Sequence, residues 1–504
     1  GTVRRGVALS AEAEVNRLAV LFMALLRWGL GLCAALLVLA ALYVSLGREL
    51  TPLVAEYQTE LEVRGQAALG MPLRIARLEG RWQGFAPVLV AHDVSLGEAD
   101  SSLRLDQVRV IPDVLGSLLS MQLKIADLQI EGLQVHLQQG EDGQWTAQGL
   151  PVRADAEPLA PAVILASLQR IGWLSLLNSQ VIVQAHGQAP VALTYVNFSL
   201  RSQGSRQRLD GRLVLPDGQP LALRLSSRLH PKVWREAELA LYLSLPQSDW
   251  ARWVPARVTQ QWKLSELKAG GEFWVSWAKG TLQSAAIRLN AAEFKGAYAE
   301  RKPVQINNLA LNAYFKRSGE GFQLSLDSLA MNFGETRWES RVQLKQTVAT
   351  DKTDELWHLQ ADRLDLTPIT PLLNALAPLP EGFAKTIQHL KATGLLRNVL
   401  VDFRPQDTTD QKVSFAANLE RVGFDAYFGA PAARNVSGSI SGDLGHGELR
   451  MDSKDFSLHL DPIFAKPWQY IQANARLTWK LDQEGFTLIA PYIKVLGEEG
   501  HVAA

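Results

Sequence analysis

Residues 123–137 read LKIADLQIEGLQVHL, with apolar side chains at Leu123, Ile125, Leu128, Ile130, Leu133, Val135 and Leu137. The spacing alternates between steps of two and steps of three. A step of two belongs to a strand that buries one face; a step of three breaks the phase, so a bulge or short turn must absorb it if the apolar set is to stay on one side. A helix does not give this rhythm. Residues 102–110 (SLRLDQVRV) repeat it at Leu103, Leu105, Val108 and Val110, and residues 112–121 (PDVLGSLLSM) form a short connection with one helical turn. The pattern recurs to the end of the chain, which makes the fold class mainly β.

Upstream lies a different material. Residues 28–46 (WGLGLCAALLVLAALYVSL) are an unbroken apolar run, close to the ~20 residues a helix needs to cross a bilayer core. Arg4, Arg5, Arg17 and Arg27 precede the run and only Arg48, beside Glu49, follows it closely, so the positive-inside bias puts the N-terminus in the cytoplasm and exports the body. A cleaved signal peptide is the rival reading, but the run is longer than an ordinary signal core and no A-x-A site follows. The chain opens on Gly1, and Met23 would itself start an anchored protein, so residues 1–22 are read as a cytoplasmic tail or as non-native. Residues 50–69 (LTPLVAEYQTELEVRGQAAL) have helical spacing with Pro52 near the start, which predicts a helix directly outside the membrane.

Downstream, residues 151–162 (PVRADAEPLAPA) read as a linker, residues 163–177 as a short helix on the sheet, and residues 181–245 as strands with turns at Pro216-Asp217-Gly218 and His230-Pro231. Residues 371–390 are a further helical stretch. The second half repeats itself. Leu267-Lys268-Ala269-Gly270-Gly271 matches Leu390-Lys391-Ala392-Thr393-Gly394, Phe294 matches Phe424, and Asn308 matches Asn435. A shorter echo pairs Gly321-Phe322-Gln323-Leu324 with Gly485-Phe486-Thr487-Leu488. Such repeats stack one unit on copies of itself and grow an extended sheet. The expected divisions are a tail (1–27), a transmembrane helix (28–46), a membrane-proximal helix with sheet (47–150), a linker with helix and strands (151–230), and two groove repeats (231–350 and 351–504). The second breaks off without a cap, as in a fragment of a longer protein.

Composition removes several functions. Fifty-one basic and 51 acidic side chains cancel in 504 residues, so the basic footprint of a nucleic-acid binder is missing. The single cysteine, Cys33, lies in the apolar run, leaving the body without a disulfide or thiolate site. No nucleophile elbow, phosphate loop or metal-binding helix motif is present. His92-Asp93 and His446 lack partners at ligand spacing, and residues 442–447 (GDLGHG) read as a hairpin turn. No catalytic residue, metal or cofactor is implied.

A long sheet that is apolar on one face must cover that face, and few helices are available to do so. Either the sheet closes on itself as a sandwich, or it curls into a gutter whose lining is filled by another molecule. For an exported, anchored body, an acyl chain fits.

The anchor and helix, followed by Gly70-Met71-Pro72, Trp82-Gln83-Gly84-Phe85-Ala86-Pro87 and Ala91-His92-Asp93-Val94, resemble the N-terminal region of the YhdP branch of the AsmA-like family of Gram-negative bacteria. Residues 429–431, 435–438, 442–443 and 451–453 are also similar to that branch. The resemblance implies an inner-membrane anchor, an elongated, twisted, repeating β-groove of taco or sandwich form with a few short helices, and transfer of glycerophospholipid toward the outer membrane. It also implies a protein partner in the periplasm or at the outer membrane. It offers no catalytic residues. Strand phase makes Leu103, Leu105, Val108, Val110, Leu128, Ile130, Leu324, Leu326, Leu329, Ala417 and Leu419 the lipid-lining candidates. The alternative is a non-conducting anchored scaffold or regulator of outer-membrane assembly, and an exported enzyme is a distant third.

Overall fold

The computed structural model describes residue 27 and residues 30–69, 71–98, 102–148, 161–253, 261–376, 381–427, 431–460, 463–482, 485–498 and 500–503. The N-terminal tail and residues 151–160 of the linker lie outside these. Among the described residues, twenty-four strands join in one sheet. Most are hairpin neighbours in sequence and pair antiparallel. One joint differs: strands Ile125–Glu131 and Gln134–Gln139 lie end to end, parallel to strand Ile171–Gln184. A parallel joint needs a crossover, and the helix Pro161–Gln169 lies within it. The helix expected over residues 163–177 therefore stops earlier, because the apolar residues Ile171, Leu174 and Leu176 feed the sheet.

The apolar N-terminal segment is helical and continuous from Leu30 to Ala67, long and apolar enough to cross a membrane. It tightens to a 3-10 helix over Thr51–Tyr57, where Pro52 removes a backbone donor and crowds the preceding turn. Strand Leu73–Gln83 runs back along it. Glu62 Oε1 accepts from the Ile75 N–H at 2.6 Å, and at the far end the Trp82 ring meets Tyr43 edge-on at 5.2 Å.

The sheet is creased along its length. Among the described residues, eight strands carry a non-glycine residue in the left-handed region in mid-strand: Asp93, Asn178, Tyr195, Asn308, Asn398, Arg421, Asn435 and Asp455. Register shifts bracket seven of them, for instance between Leu176 and Ser179 and between Leu419 and Val422. Where the register shifts, the strand phase moves and the apolar residues on both sides of the bend stay on one face. The step of three from Leu326 to Leu329 is likewise a register shift, without a left-handed residue. Residues next to the bends are buried, among them Ser179, Val196, Val399, Val422, Val436 and Phe456, with Ser453 and Ala473 at 0% exposure. Small side chains sit where the two walls converge.

Short helices close parts of the crease. The stretch expected to be one helix over residues 371–390 forms two, Ile369–Leu376 and Glu381–Leu390. The first buries Ala375 with Val304, Ile306 and Met331. Residues 112–121 hold the helix Val114–Ser120, and Leu123 precedes the strand and is exposed instead of joining its face. The GDLGHG segment is a hairpin, with Gly442 opposite Gly447.

Candidate functional site

Cross-strand partners in a sheet share a face and stand side by side, so the register traces what each face presents. From Leu89 the partners run Val110, Leu128, Leu174, Leu200, Leu209, Leu225, Leu241, Val275, Ala285, Phe315 and Leu324. They continue through Leu344, Leu359, Val401 and Phe415 to Gly442, Gly447, Trp479 and Leu488. No polar side chain interrupts this file. At ~4.8 Å per strand its 19 steps follow the sheet for about 90 Å.

A second file lies two residues deeper. It runs from Ala91 through Val108, Ile130, Leu176, Phe198, Gly211, Leu223, Leu243, Phe273, Ile287, Ala313, Leu326 and Val342 to Ala361. Past the bend at Asn398 it resumes with Ala417, Ile440, Leu449 and Leu477. A third includes Leu289, Leu311 and Leu329, and farther along Leu396, Leu419, Gly438 and Met451. The shift between Leu326 and Leu329 holds both on the apolar face.

Nine of the eleven candidates from strand phase thus share this face. Val110, Leu128 and Leu324 belong to the first file; Val108, Ile130, Leu326 and Ala417 to the second; Leu329 and Leu419 to the third. Leu105 and Leu103 lie past the crease, opposite Val94 and Leu96, and are buried in packing. The upper wall is half-exposed. What spacing alone missed are the glycines. At Gly211 and Gly447 a side chain would collide with the rings of Phe198 and Trp479, which lie over these gaps and keep the files apolar.

The opposite face is charged and self-paired. Asp210 lies 2.9 Å from both Arg208 and Arg224, Arg288 lies 3.2 Å from Glu272, and Arg476 lies 3.1 Å from Glu448. Burial alone would raise the Asp210 pKa, but hydrogen bonds from Arg224 and Arg208 outweigh it and hold the carboxyl below its ordinary value. The edge above the first file mixes Gln207, Ser227, Trp277, Gln346, Trp357 and Phe403. On the charged face, a depression of about 680 Å³ is lined by Arg201, Arg206, Arg208 and Arg228 among others. The site is a creased apolar trough with a rim of mixed polar and aromatic side chains.

Among the described residues no three His, Cys, Asp or Glu side chains come together to hold a metal. His92 lies 3.7 Å from Glu79 and His446 lies 3.7 Å from Asp443.

The family model described as YhdP protein matches residues 15–500. The chain belongs to the YhdP family. It is similar to the intermembrane phospholipid transporter YhdP of Escherichia coli strain K12, with 22% identity over 481 residues. That alignment covers 93% of this chain and 37% of the relative, so the chain spans a little over a third of that protein's length. No solved structure matches. YhdP membership agrees with the reading of residues 70–94. Asp93, the first of the left-handed bends, lies in that stretch.

Proposed function

We propose that this chain is the membrane-anchored part of a lipid-transfer bridge, in which acyl chains of glycerophospholipid lie along the apolar files while head groups follow the polar rim. The supporting observation is the uninterrupted file from Leu89 to Leu488. Moving an acyl chain from water onto an apolar surface gains about 0.8 kcal/mol per CH₂, on the order of 12 kcal/mol for a chain of ~16 carbons. A gap in the path would therefore trap or stop a lipid, and continuity is what transit requires. No specific contact holds the chain, and movement is passive exchange without bond chemistry; the protein is not an enzyme. The YhdP relative's name supports phospholipid as cargo.

In this reading the apolar helix sits in the inner membrane with its N-terminus in the cytoplasm, the body lies in the periplasm, and a protein partner or further chain carries the path to the outer membrane. The scaffold alternative needs a sealed interior, whereas the upper walls here are half-exposed and Leu488 is 56% exposed. Photo-crosslinking distinguishes them. With p-benzoylphenylalanine at Leu225 or, as control, at Arg224 on the outer face, the expected result is a phospholipid adduct by mass spectrometry at 225 and none at 224. Absence of lipid at 225, or equal capture at both, overturns conduction along this face.

A further inference from the structure

The edge of the sheet beside the anchor helix is unlike the rest of the surface. Strand Leu73–Gln83 returns along the helix until Trp82 reaches Tyr43, and Gly47 packs under the same indole. Tyr43 lies inside the apolar run, so the turn that follows Trp82, with Phe85 exposed, is level with the membrane segment. Trp82 pairs with Pro87, and Leu89 pairs with Val110. By that register Pro112, where the third strand ends, lies at the depth of Trp82. The helix Val114–Ser120 begins two residues later.

That helix presents Leu115, Leu118 and Leu119 to the outside, and Met121 and Leu123 follow it, each between 69 and 87% exposed. Its polar groups are satisfied within the loop. Asp113 caps the Gly116 N–H at 2.9 Å, the Ser120 hydroxyl donates to the Gly116 carbonyl at 2.6 Å, and the Ser117 hydroxyl accepts from the Lys124 N–H at 2.8 Å. An element in lipid must satisfy its polar groups internally. Flanked by Asp113 and Lys124, this one has charges at both ends and grease between, the layout of a segment that lies in an interface.

We propose that this edge is seated in the leaflet from which the anchor helix emerges, with the Val114–Ser120 helix and the Phe85 turn inserted. The inference rests on the membrane-anchored reading above and extends it to the lipid entry point. Leu89, Val110 and Leu128, the first members of the apolar file, then open at leaflet depth, so an acyl chain enters the trough without crossing water.

The test uses the chain reconstituted in phosphatidylethanolamine and phosphatidylglycerol vesicles that carry nitroxide-labelled phosphatidylcholine. In a Cys33→Ala background, a bimane probe is attached at Leu119→Cys, at Leu36→Cys in the anchor, and at Gln343→Cys on the outer face of the body. All three positions are exposed in the protein, so labelling removes no core contact. The expected result is quenching at 119 on the order of threefold stronger than at 343, with blue-shifted emission as at 36. Quenching at 36 with 119 indistinguishable from 343 overturns leaflet insertion and leaves the anchor intact. Absence of quenching at 36 overturns the anchored reading and this inference with it.

Discussion

At the scale of single residues the fold turns on side chains held in the left-handed region. Asparagine and aspartate tolerate that backbone far better than β-branched residues, and six of the eight bend positions are Asn or Asp. Asn435 repays part of the cost, since its amide donates to the Asp455 carbonyl at 2.9 Å. Asn435→Val should cost about 1–3 kcal/mol, from left-handed strain plus the lost hydrogen bond, whereas Asn435→Gly should stay within about 1 kcal/mol of the parent. Urea denaturation followed by circular dichroism measures both, and equal midpoints for the two variants would show that the bend is not what selects Asn. The pairing of Asn308 with Asn435 in the internal repeat was visible in the sequence because both occupy this bend. Tyr195 and Arg421 do the same job without a legible side chain, and no local pattern marks them.

At the scale of strands and hairpins, the steps of two and three announced both the one-sided face and the bulges, since periodicity is a property of neighbours along the chain. The cross-strand files were not legible, because register is fixed by pairing between distant segments; the same holds for the rings over Gly211 and Gly447. Gly211→Val should therefore destabilise by about 1–3 kcal/mol through overpacking against Phe198, with a double variant Gly211→Val/Phe198→Ala recovering part of the loss in a thermal melt. On the outer face, a hydrogen bond from Arg450, then one from Arg476, holds the Glu448 carboxyl below its ordinary pKa. A depressed carboxylate contributes stability above its unfolded pKa and loses it as pH falls through the folded value. Glu448→Gln should accordingly lower the urea midpoint at neutral pH and match the parent once the solution is acidic enough to protonate Glu448. A difference that persists unchanged across that range would assign its effect to packing instead.

At the scale of the whole molecule, the sheet divides its two faces between different tasks. Ion pairs on the outside keep a long, open sheet soluble, and the crease gathers its small buried residues into a continuous spine. Among the described residues, the upper file above that spine is left half-exposed. A charge placed in a file separates the two readings of such a face. In a sealed core, an unpaired buried carboxylate costs several kcal/mol and unfolds the protein. In an open trough the carboxylate stays hydrated, so the fold survives while the path for an acyl chain is cut. Leu225→Asp with Leu241→Asp, adjacent in the first file, should leave the β-sheet circular dichroism and melting midpoint close to the parent. The same pair should abolish transfer of fluorescent phospholipid between vesicles bridged by the full-length protein. The outer-face pair Ser226→Asp and Ala240→Asp, one residue along on the same two strands, should do neither. Loss of the fold in the first pair would mean that the files are core, and retention of transfer would mean that lipid travels elsewhere.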